Sequence, residues 1–455
     1  MRFPTPMHAR YPTGSIVKAA NMFPAPLLLI LLIVTTPVTL IFDGPITHGL
    51  VTGAAALLVA IVALRIRPNE AGFLSSVLRP IAIIACFPAL WMLFQVLPLK
   101  AVGLAHPIWE SAAAALGRPL AGSISIDPGA TLIALAQYLS TAAIAFVAAA
   151  VAIDRNRAEW VLFALTASTA LVALMVLTAG FSDFTLPSNG ARGVAHDAAI
   201  DSAGLGVIVA AATALHTLGR GGTQGTEQGR AAAWSMLTFM ACLVAVTLCS
   251  WTVFTGATSQ AHFAVICGVA TFTVAIVIRR FRLGPWGISA IVSIAAVVAI
   301  AAVTFQPNNR SLDLTLAFAA HTSAPLIAAS KRVLMETSWA GTGAGTFAVV
   351  LPIYRDIDEL SAGAIAPTAA AAIAVEMGRP FLWAILLAAT ALVVMLVRDA
   401  ARRGRDSFYA TTGASCVVTI TLLAFGNAAI FGIPVLMIAA TVVGIAIAQR
   451  KSRPT

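Results

Sequence analysis

Charge is what this sequence has least of. Only 10 % of its 455 residues are Asp, Glu, Lys or Arg, while 59 % are hydrophobic and the mean hydropathy is +0.92. A soluble domain carries about 25 % charged residues. A water-soluble globular fold is therefore excluded, and no polar stretch is long enough for a separate soluble domain with a large core. The five cysteines, Cys86, Cys242, Cys249, Cys267 and Cys416, all fall in apolar runs. They read as small packing residues and not as a metal or redox pair. The longest polar interval has no cysteine, so no disulfide is expected there. The net charge is +10, yet no basic face with interleaved aromatics is present, which argues against nucleic acid as a partner. No internal repeat is found, and charges within the apolar runs are few, which weighs against a transporter.

What the sequence does have is apolar runs near 20 residues, each able to cross roughly 30 Å of hydrocarbon as a helix. They fall at 23–42, 48–64, 80–99, 131–151, 160–179, 202–218, 231–254, a return run ending at 278, 286–305, 381–397, 409–425 and 430–448. The first is long for a signal sequence and lacks a small-residue cleavage site, so it reads as retained. An Ala/Leu-rich middle within 101–128 suggests a short interfacial helix, and 219–230 reads as a Gly-rich linker. The expectation is an all-α polytopic helical membrane protein with about twelve transmembrane helices. It forms a single integral membrane domain over 1–455, and 306–379 is a large loop with short interfacial helices between the ninth and tenth spans.

Twelve spans put both termini on one side. The short loops on that side hold most of the Lys and Arg, while the other side has Lys100, Arg118, Arg192, Arg310, Lys331, Arg332, Arg355 and Arg379. Lys and Arg concentrate in cytoplasmic loops. The termini are thus expected in the cytoplasm and the long loop outside, periplasmic in a double-membrane bacterium. Trp109, Trp251, Trp339 and Trp383 then cluster near the outer interface as an aromatic belt.

Candidate chemistry lies on the outer side. Lys331, Arg332 and Arg355, with Arg192 and His196 from the loop before span six, suit a phosphate or pyrophosphate at the membrane surface. Lipid head-group anchoring and ion pairs with Glu336, Asp356, Asp358 and Glu359 would use the same cations. His196, Asp197 and Asp201 have no diagnostic metal spacing. Gly341-Thr-Gly-Ala-Gly-Thr-Phe347 looks like a nucleotide loop, but no strand precedes it. A turn between interfacial helices, with glycines for close packing, is the simpler reading. Glu376 closes an Ala-rich helix at the membrane edge, where a carboxylate is a functional candidate or the ion-pair partner of Arg379.

Several pieces, in order over about residues 90–450, resemble the O-antigen ligase and polysaccharide polymerase superfamily. They are Gln95-Val-Leu-Pro98-Leu-Lys100, His106-Pro-Ile-Trp109, Ile124-Ser-Ile-Asp127-Pro128, the turn Thr255 to Gln260, Gly341 to Phe347 with Pro352-Ile-Tyr354-Arg355, and 366–380. The resemblance implies a metal-independent, inverting glycosyltransferase in the bacterial inner membrane, with no cofactor. It would take glycan from an undecaprenyl-pyrophosphate carrier and pass it to a glycan or lipid acceptor. Polysaccharide assembly proteins are possible partners. In this register Gln260 and Ser323 stand where the family has arginines, and Pro367-Thr368 stands where it has a His-Asn pair. Arg192 and Arg332, helped by Lys331 and Arg355, are then the expected grip on pyrophosphate. His196 or His262 is the expected base, and Glu376 joins the substrate-binding set. The alternative implied by the same departures is an inactive relative that binds carrier lipid or scaffolds an assembly complex.

Overall fold

A computed structural model describes residues 24–98, 103–179, 191–221, 228–280, 314–319, 323–355, 365–402 and 407–450. The expected ninth span, 286–305, lies outside these, as do Arg310, Asp356, Asp358 and Glu359. The described residues are helical, with no strand among them. In chain order the helices are α1 (Pro24–Val34), α2 (Thr36–Ile41), α3 (Pro45–Arg65), α4 (Pro68–Val96), α5 (Ile108–Leu116), α6 (Pro128–Val151), α7 (Arg155–Ala179), α8 (Ala191–Gly221), α9 (Gln228–Gly256) and α10 (Ser259–Arg280). After the gap come α11 (Ala324–Glu336), α12 (Phe347–Val350), a 3-10 turn (Leu351–Tyr354), α13 (Ala369–Glu376), α14 (Arg379–Arg402), α15 (Ser407–Gly426), a second 3-10 turn (Ala429–Phe431) and α16 (Ile433–Ala448).

Ten of these stretches, counting α1 and α2 as one, are long and apolar enough to cross a membrane; α16 is apolar but shorter. The protein is a polytopic helical membrane protein. Every expected span inside the described residues meets a helix, and a short helix, α5, falls within 101–128. The boundaries differ most at the third span. α4 has 29 residues, about 43 Å at 1.5 Å per residue, and so begins well before the expected start at 80. Arg79, expected in a loop, is an exposed residue inside it.

α8 is the axis of the bundle. Its apolar window is 89 % buried, against 11 % for α4 and 17 % for α14, which face outward. α7, α9, α10, α15 and α16 pack around it. Lipid is as apolar as leucine, so helices in a membrane associate through close packing and hydrogen bonds. Both devices are visible. Gly204 and Gly206 let α8 approach its neighbours: a Cβ on Gly206 would stand 2.7 Å from Thr169 and 2.9 Å from the Cys249 sulfur. Thr166 and Thr213 hydroxyls meet at 2.9 Å between α7 and α8.

Prolines account for the breaks. Pro37 has no N–H to donate to the carbonyl four residues back. That carbonyl, Ile33, instead accepts from the Thr36 hydroxyl at 2.6 Å and the Ser168 hydroxyl at 2.9 Å. Pro80 and Pro88 interrupt α4 in the same way. Nearby carbonyls take side-chain donors there: Tyr138 to Ala85 at 2.6 Å and Arg450 to Val77 at 3.0 Å. At the same end Gln449 donates to Ala152, and Arg450 lies 3.9 Å from Asp399.

Candidate functional site

Two structures occupy one end of the bundle, a glycine knot and a cavity. The knot is built around Gln95, which is fully buried at the end of α4. Its amide nitrogen donates to Ala340 O at 3.0 Å and Glu376 O at 2.9 Å, and its oxygen accepts from Ala344 N at 3.2 Å. Ser125 N donates to Gln95 O, Ile126 N to Thr342 O and Gly343 N to Glu376 O. The glycines are required by space as well as by backbone angle. Gly341, Gly343 and Gly345 have φ of 79°, 107° and 78°, a left-handed region that only glycine enters at little cost. A Cβ on Gly343 would also stand 2.7 Å from the Ser125 Cβ. The Gly341–Phe347 segment thus joins α11 to α12 and locks onto α4 and the α13 end.

Glu376 belongs to this knot. Its Oε1 accepts the Phe347 N–H at 3.1 Å. Burial pushes its carboxyl up to about 7, against the opposing pull of the Gly345 and Phe347 N–H groups. Beside it Arg379 donates to Leu334 O at 3.2 Å. Trp91 donates to Met377 O and stacks near Phe381, with Trp339 at 6.3 Å.

The cavity, of about 230 Å³, lies at the starts of α11 and α13. Four helices meet it by their first turns: α8 through Gly193, Val194 and Asp197, α10 through Gln260 and the preceding Thr258, α11 through Leu326 and the preceding Ser323, and α13 through the preceding Pro367. The α15–α16 turn, Gly426 to Ala429, closes the wall. A helix start leaves N–H groups without intrahelical partners and carries partial positive charge. Part of that demand is met within the protein. Thr258 Oγ1 accepts from Ala261 N at 3.1 Å and Thr368 Oγ1 from Ala371 N at 3.0 Å.

Asn427 ties the wall together. Its carbonyl accepts from Ala369 N at 3.0 Å, its side-chain oxygen from Ala429 N at 2.9 Å, and its amide donates toward Asp201 Oδ1 at 3.4 Å. Asp201 is 1 % exposed, and its Oδ2 has no hydrogen-bond partner among the described residues. Val194, Asp197 and Asp201 fall at i, i+3 and i+7 of α8, one stripe of the helix. Asp201 therefore sits one turn deeper than Asp197 beneath the cavity. Among the described residues no group of three or more His, Cys, Asp or Glu is gathered to hold a metal ion.

The residues expected to carry chemistry separate into these places. Gln260, Ser323 and Pro367, far apart in sequence, line the one cavity. Thr368 is a buried helix cap, its hydroxyl donating to Thr315 O at 2.7 Å. Arg192 is in the first turn of α8, beside Gly193. His196 is exposed on that helix and faces the Gly256 turn. His262 on α10 places Nδ1 2.8 Å from Thr258 O. Lys331 and Arg332 lie two turns and more beyond Ser323 on α11, with Arg332 exposed, and Arg355 follows the 3-10 turn. Tyr354 donates to Glu336 at 2.6 Å. Sequence reasoning passed over Asn427, whose only signal is a polar residue in the turn between two apolar runs. It saw Asp197 and Asp201 only as metal candidates. No family model matches the sequence, and no curated protein is similar to it.

Proposed function

We infer that this protein works in surface-polysaccharide assembly in a bacterial inner membrane, with both termini cytoplasmic. It receives glycan on an undecaprenyl-pyrophosphate carrier in the cavity and transfers it to a glycan or lipid acceptor, without a metal. One observation carries this reading: Gln260, Ser323 and Pro367, aligned by resemblance with a family's three reactive positions, come from separate segments and line one cavity. The chemistry is adapted, because Gln260 and Ser323 bring no charge. Positive potential for the diphosphate comes from the helix starts around the cavity and from Arg192, in the first turn of α8. The distant Arg332 is an anchoring residue for lipid head groups.

A second reading is favoured by the wall itself. Among the described lining residues the only charged side chain is Asp197. That suits a relative that holds carrier lipid or scaffolds an assembly complex without turnover. Deletion of the gene, followed by complementation and gel analysis of surface glycan, separates the readings. Glycan should be lost on deletion and restored by wild type and by Arg332→Ala, but not by Arg192→Ala at normal expression. If Arg192→Ala restores it fully, the diphosphate grip at this cavity is refuted. Carrier binding without transfer in reconstituted vesicles would establish the second reading.

A further inference from the structure

We propose that the Asp197–Asp201 carboxylate pair is the proton acceptor of this cavity, in place of a histidine. The inference rests on the transfer reading above and deepens it. Two independent observations lead to it. The first is Asp201: it is 1 % exposed, and among the described residues its one partner is the Asn427 amide on Oδ1 at 3.4 Å, which leaves Oδ2 as a buried acceptor without a donor there. A buried carboxylate oxygen in a membrane protein is costly unless something pairs with it. What it lacks is a hydrogen-bond donor or a proton, and a proton taken up from a carbohydrate hydroxyl by Asp197, one turn above, answers that need. The second is the cavity, which one turn above brings Asp197 to its surface together with the uncharged polar groups of Thr258, Gln260, Ser323 and Asn427. Carboxylate, amide and hydroxyl are the groups that bind sugar hydroxyls.

The two histidines of the neighbourhood are placed differently. His196 is exposed and turned to Gly256, and His262 is hydrogen-bonded to Thr258 O. Neither lines the cavity. With Arg192 they are the titratable residues besides the pair in the first turns of α8 and α10, while α11, α13 and the α15–α16 turn bring none to the described wall.

The step balances without any co-reactant. The acceptor hydroxyl loses its proton to Asp197 as its oxygen bonds to the anomeric carbon. The bond from that carbon to the phosphate oxygen breaks, and its electron pair leaves with the diphosphate. Nothing is oxidised or reduced. Asp201 stands one helical turn below Asp197 and its carboxylate interacts with it, so the proton stays at the pair until water removes it. Asp197 touches substrate and is the catalytic residue; Asp201 is a positioning residue that acts through it.

The test uses the full-length protein in right-side-out membrane vesicles carrying the strain's own lipid-linked glycan, labelled during growth. Transfer is followed against pH. Asp197→Asn should lower the rate about 100-fold, the usual scale for losing a general base, with unfolding temperature unchanged. Asp201→Asn should displace the acidic limb of the pH–rate profile, a readout that a packing role leaves in place, and Asp201→Glu should restore it. Wild-type rates in Asp197→Asn would overturn the proton-acceptor assignment and leave the transfer reading standing. No transfer by wild type, with carrier still bound, would overturn both. If Asp201→Asn fails to fold, Asp197→Asn and Asp201→Glu still decide the matter.

Discussion

Glu376 shows how a residue's surroundings set its role. Its sequence context, a carboxylate at the membrane edge before Arg379, is compatible with substrate binding or an ion pair. In the structure its oxygen takes the Phe347 N–H, and burial raises its carboxyl to about 7. The folded state therefore holds a proton that an unfolded chain, near 4.5, gives up. This group's contribution to stability is complete below about pH 4.5 and is lost as pH rises through about 7. Over the whole range from about 4.5 to about 7 the loss is about 3 kcal/mol. Thermal unfolding in nanodiscs at pH 5 and pH 8 checks this: wild type should lose stability between them, and Glu376→Gln should lose less by that amount. Equal slopes in the two proteins would mean that the carboxyl is already ionised at pH 5 or feels water.

At the scale of the element, α8 is the helix on which bundle and cavity both depend. Its middle is buried on all sides and its first turns line the cavity. Gly206 faces Thr169 of α7 and Cys249 of α9 with no room for a larger side chain. Gly206→Leu should force these helices apart. Overpacking costs about 1–3 kcal/mol even for smaller insertions, so the folded, monodisperse fraction on size-exclusion chromatography should fall sharply, with Gly193→Leu at the exposed end much milder. This crowding was not legible in the sequence, where α8 reads as one Ala-rich run among twelve. What was legible is that a helix stands there: length and apolarity suffice for that. The third span shows the complementary error. Its apolar core was seen, but the first turns of α4 are polar enough to read as loop, and only backbone hydrogen bonding makes them helix.

For the whole molecule, the proposed orientation, drawn from the distribution of Lys and Arg, has both termini in the cytoplasm and the glycine knot and cavity outside. A fluorescent protein fused after residue 455 should be bright, and alkaline phosphatase inserted at 361 should be active. The opposite pattern would invert the molecule, put the cavity on the cytoplasmic side and remove the basis for an external glycan acceptor.

Composition and periodicity alone determined that the chain is a bundle of membrane helices, because twenty apolar residues have few other stable arrangements in a bilayer. The turn reading of Gly341–Phe347 was also within reach, since no strand precedes it and glycine alternates along it. Tertiary structure decided which polar residues meet. Gln95 with the glycine knot, and Gln260, Ser323, Pro367 and Asn427 around one cavity, are brought together by helix packing across long separations in the chain. Helix crossings arise from side-chain packing and hydrogen bonds between segments. A linear reading of one segment carries no term for its neighbour, and so Asp201 could be seen as a carboxylate but not as a buried one with an oxygen left to pair.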